Sequence, residues 1–100
     1  MTKPYRSHDE ATAELFREDP ALAAEYLDAV LEDGDQAEVL IALRHIVNAR
    51  SSIQKVAEQT DLNATTLYRT LSPTGNPELR SLIKVLGAVG LRLSIEPVRA

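Results

Sequence analysis

The stretch "AEQTDLNATTLYRTLS", residues 57–72, decides the fold of this chain. Ala57 is small enough to let a second helix cross the first at close range, and Val56 packs beside it. Leu62 closes a short turn, and Leu67 anchors the second helix from inside. The spacing therefore predicts a helix, a tight turn and a second helix. One residue of such a turn tends to adopt positive φ, where glycine is favoured, but the chain has Asp61. Aspartate tolerates that conformation at some cost. Thr70 stands where an apolar residue is expected, and Leu71 is placed to take over its packing.

A helix pair of this kind either enters a DNA groove or is a plain packing unit. On the outer side of the second helix lie Asn63, Thr65, Thr66, Tyr68 and Arg69, the candidate base contacts. They offer short polar groups, a phenol and a guanidinium to base edges. Arg69 fits a bidentate guanine contact or a phosphate contact. For Asn63, capping the helix is by itself a sufficient explanation. Ser52, Gln54 and Lys55, at the start of the preceding helix, are candidate phosphate ligands, with Ser51 read as the cap.

Working outward, Asp19 followed by Pro20 reads as a cap and first helical position, since proline lacks only an N–H that would be unpaired there. Before it, "SHDEATAELFRED" places Ala11, Leu15 and Phe16 at helical spacing. After it, Leu22, Tyr26, Leu27, Val30 and Leu31 make one stripe, which Asp33 and Gly34 end. Asp35 with Glu38 opens the next helix, with Val39, Leu40, Leu43, Ile46 and Val47 inward. Ser51 with Gln54 opens a fourth, in which Ile53 also points inward. Asn76 and Pro77 open a last helix carrying Leu79, Leu82, Ile83, Val85, Leu86 and Val89 up to Gly90.

"LRLSIEP" then alternates apolar and polar at Leu91, Leu93 and Ile95, the period of a half-buried strand over 91–97. A lone strand needs a partner, either "KPYR" near the N-terminus or a second copy, which would give a symmetric dimer. The expected fold is all-α, with five or six short helices and a short C-terminal β-strand. The expected core is Leu22, Tyr26, Leu27, Val39, Leu43, Ile46, Val56, Ala57, Leu67, Leu82, Ile83 and Leu86.

One hundred residues with 44% hydrophobic content suit one domain, 1–100. Cysteine is absent, which excludes disulfides and thiolate metal sites. No apolar run resembles a signal peptide or a membrane span, so a cytoplasmic protein without membrane contact is expected. The net charge of −4 is unevenly spread. Residues 1–38 carry three Lys/Arg against eleven Asp/Glu, whereas residues 39–100 carry eight against four. This is compatible with a basic face for phosphates and an acidic face for a basic protein, or with an ordinary solvated acidic surface. His8 and His45 are far apart, "HDE" at 8–10 has no second cluster, and Ser51 and Ser52 have no histidine and acid beside them. Gly87 and Gly90 fit no phosphate-binding fingerprint. The chain is read as a non-enzyme without metal or cofactor.

"EYLDAVLEDGD", "LYRTLSPTGNP" and "KVLGAVGLRLS" carry a resemblance, spanning roughly residues 20–97, to the addiction-module antidote proteins, a HigA-like branch of the Cro/repressor-type helix-turn-helix superfamily. The resemblance implies a lambda-repressor-like helix-turn-helix and an antitoxin of a type II toxin-antitoxin pair. Such a protein neutralises a small basic RelE/ParE-type toxin and represses the shared operon as a homodimer on double-stranded operator DNA. Under it, 9–35 is the acidic helical part, 36–90 the DNA-binding core and 91–97 the strand. The alternatives are a stand-alone regulator without a toxin and a helical interaction module in which residues 57–72 only pack.

Overall fold

The computed structural model describes residues 14–98. The start of the expected first helix, "KPYR", His8 and the "HDE" cluster lie outside these residues. Residues 14–18 are helical and form α1. Then come α2 (Pro20–Asp33), α3 (Gln36–Arg50), α4 (Ile53–Thr60), α5 (Ala64–Thr70) and α6 (Leu79–Ala88).

The helix boundaries follow from local chemistry. Asp19 caps α2, its Oδ1 accepting from the N–H groups of Ala21 (3.0 Å) and Leu22 (3.4 Å), with Pro20 in the first turn. Gly34 stops α2 in extended rather than left-handed conformation. A Cβ there would lie 2.7 Å from the Val30 carbonyl oxygen, so glycine is required by close approach. Asp35 Oδ1 caps α3 by accepting from Glu38 N–H at 2.9 Å.

The central helix is α3. It buries Leu40, Ala42, Leu43, Ile46, Val47 and Ala49, and packs against both α2 and α4. Helix α4 in turn packs on α5 and α6. Phe16 joins the core beside Tyr26, with ring centroids 4.9 Å apart. Two arginines fasten the end of α3 to its neighbours. Arg17 Nε donates to the Ala49 carbonyl (3.3 Å), while Arg50 donates to the carbonyls of Phe16 (2.8 Å) and Val89 (2.7 Å).

Several expectations need correction. Ile83 is 49% exposed, because the buried ridge of α6 runs through Leu82, Val85, Leu86 and Val89, and Ile83 falls one position past it. Leu15, Leu31 and Leu79 are likewise exposed. Ser52, not Ser51, caps α4, its Oγ accepting from Lys55 N–H. Ser51 instead closes α3 by donating its N–H to Val47. Helix α6 starts at Leu79 rather than at Pro77, with Glu78 at its cap position and no side-chain cap bond.

The expected strand over 91–97 is absent: residues 91–98 form no strand among the described residues. A strand needs a ladder partner, and none of the described elements supplies one. The alternation does not mark a buried face either, since Ile95 is 98% exposed. The architecture is all-helical.

Candidate nucleic-acid interface

The turn between α4 and α5 is built as the local sequence requires. Asp61 has φ 58° and ψ 36°, the left-handed conformation. The N–H groups of Asp61 and Leu62 both reach the carbonyl of Ala57, the latter at 3.0 Å, so the helix end is closed by main-chain bonds. Ala57 is buried at the crossing and Val56 is fully buried beside it. Thr60, the buried polar residue of this region, donates its hydroxyl to the Val56 carbonyl at 2.6 Å. Leu67 and Leu71 are buried and hold α5 from inside, with Leu71 replacing the apolar group that Thr70 lacks.

Asn63 caps α5, its Oδ1 accepting from Thr66 N–H at 3.0 Å. This use occupies the carbonyl oxygen and not the NH₂ group, so capping and an outward contact are compatible. Asn63, Thr65, Thr66, Tyr68 and Arg69 are all exposed. The structure thus brings every candidate base contact to the outer side of one helix. Gln54 and Lys55 are exposed on the first turn of α4. Ser52 is half-buried, and its hydroxyl oxygen serves the cap of α4.

A residue that sequence reading missed joins this surface. The guanidinium of Arg44, on α3, lies over the ring of Tyr68 with its central carbon 4.0 Å from the ring centre. It brings a second guanidinium to the helix that carries Arg69. No local signal announces the pairing, because Arg44 and Tyr68 lie on different helices far apart in the chain. The loop after α5 is held from the other side: Gln36 Nε2 donates to the Gly75 carbonyl at 2.9 Å. His45 is an exposed residue of α3. Among the described residues no helix is long and apolar enough to cross a membrane.

The described residues form an all-helical core with a short, outward-facing second helix after the α4 turn, and comparison with known proteins places the chain in a family. The model of a family described as probable addiction module antidote protein matches residues 8–97. An uncharacterized protein of Haemophilus influenzae is 30% identical over 99 residues, covering 99% of this chain and 98% of its own. No solved structure matches the chain significantly. The chain belongs to the addiction-module antidote family.

Proposed function

We propose that this antidote protein is a DNA-binding antitoxin of a type II module, of the HigA-like kind, which neutralises a RelE/ParE-type toxin and represses its own operon. Helices α4 and α5 act as a helix-turn-helix of the Cro/repressor type. Helix α5 enters the major groove, with Thr65, Thr66, Tyr68 and Arg69 toward base edges. Gln54, Lys55 and the hydroxyl of Ser52 meet the phosphate backbone at the start of α4. A homodimer places one α5 in each half of a palindromic operator. The protein works by binding and needs no catalytic group.

The observation that carries this reading is the exposure of the whole outer side of α5 on a turn rigidly closed at Asp61. That side gathers a phenol, two threonine hydroxyls and a guanidinium, groups able to bond to base edges and phosphates.

A gel shift against the protein's own promoter tests it. Arg69→Ala with Thr66→Ala should abolish the specific shift while circular dichroism stays unchanged. A single bidentate base contact is worth about 1–3 kcal/mol. An undiminished shift would remove α5 from the interface. Co-purification with the product of the neighbouring gene tests the toxin half.

A further inference from the structure

Helix α2 has no Lys or Arg along Pro20–Asp33, and it exposes Glu25, Asp28, Glu32 and Asp33. Beside it runs the segment that follows α6. Between the two lies a groove of about 650 Å³. Leu27 and Leu86 lie at its base and belong to the core, whereas Leu31 and Leu93 on its walls are 52% and 43% exposed. The carboxylates of Glu25, Asp28 and Glu96 line it against the single guanidinium of Arg92. The groove therefore combines apolar side chains with an excess of carboxylates over cations along its lining. None of the α5 residues lines it.

We propose that this groove is the toxin-binding surface, and that its occupant is a cationic segment of the toxin bearing apolar side chains. The inference rests on the antitoxin reading above and deepens it by naming the face and the chemistry. Lys or Arg of the partner would meet Glu25 and Asp28, while its apolar side chains settle between Leu31 and Leu93. The segment after α6 adds a second mode of recognition. Residues 92–98 make no main-chain hydrogen bond among the described residues, and the proposal has the partner's backbone add to them as a strand. Charge disfavours a symmetric second copy as occupant, because two α2 faces brought together would oppose carboxylates with carboxylates.

The probe is the purified product of the adjacent gene, and its binding to this chain is measured by biolayer interferometry at two salt concentrations. Glu25→Lys with Asp28→Lys should weaken binding by at least about tenfold and flatten its salt dependence, since rim charges act chiefly on association. Leu31→Asp should weaken it comparably. The milder Glu25→Gln with Asp28→Asn, which preserves side-chain size, should fall between. Arg69→Ala should leave the affinity unchanged.

If the wild-type chain binds the probe and the groove variants bind it equally well, the groove proposal fails while the antitoxin reading stands. If the wild-type chain does not bind, both fail together. If Leu31→Asp dissociates a homodimer without altering affinity for the probe, the groove belongs to a second copy and the proposal is overturned.

Discussion

The Arg44 guanidinium stacks 4.0 Å above the Tyr68 ring, joining the central helix α3 to the outward side of α5. Such a contact is worth about 0.5–1 kcal/mol at an exposed site, too little to carry the fold but enough to fix a tyrosine rotamer. Arg44→Gln is expected to cost no more than about 1 kcal/mol in denaturant unfolding. In operator binding it should do more. If the guanidinium also meets a phosphate, the slope of log affinity against log salt should fall by about 0.9. An unchanged slope and affinity would confine Arg44 to packing.

Asn63 separates a cap from a contact. Replacing it with Ala removes the bond to Thr66 N–H and should destabilise by about 1 kcal/mol, whereas Asn63→Asp retains the cap acceptor and the stability. Operator affinity distinguishes the second role. A base contact through the NH₂ group predicts that Asn63→Ser, which keeps a cap oxygen and adds no charge, binds DNA weakly even though it folds normally.

Asp61 occupies the left-handed region that β-branched residues avoid. Asp61→Val should destabilise by about 1–2 kcal/mol, the scale of the left-handed penalty, while Asp61→Gly should be tolerated. Thermal unfolding of the two variants checks this, and equal midpoints would show that the turn is not held at positive φ.

Two glycines should respond oppositely to alanine. At Gly75 an added Cβ would collide with the Thr70 carbonyl oxygen, so the loop must move. Gly75→Ala is expected to cost roughly 2 kcal/mol or more, in the overpacking range. Gly87, within α6, has nothing within 4 Å of that position. Gly87→Ala should stabilise by about 0.5–1 kcal/mol. Urea midpoints measured side by side decide both.

What the sequence made legible was local. The caps at Asp19, Asp35 and Asn63 and the positive φ at Asp61 depend on residues within a few positions of one another, and the structure has them where spacing places them. Boundaries with two equivalent candidates were less legible. Ser51 and Ser52 can each cap, and only the Val47 carbonyl, which draws Ser51 into the end of α3, separates them. Ile83 illustrates a different limit: an apolar helix has more apolar positions than one buried side can take. The alternation at 91–97 obeyed strand periodicity but carried no information about a partner. The stacking of Arg44 on Tyr68 and the bonds of Arg17 and Arg50 join positions far apart in the chain, and no spacing rule encodes them. For the candidate site, the side-chain inventory of α5 was readable, whereas its support from α3 was not.

Arg50 grips the carbonyls of Phe16 and Val89 at once, so the last eight described residues leave the body from an anchored origin. A fully extended chain advances at most about 3.3–3.6 Å per residue. Residues 91–98 therefore form a tether of roughly 26–29 Å at full stretch. A partner strand added along residues 92–98 would therefore run beside α2 and stay within that distance of the end of α6.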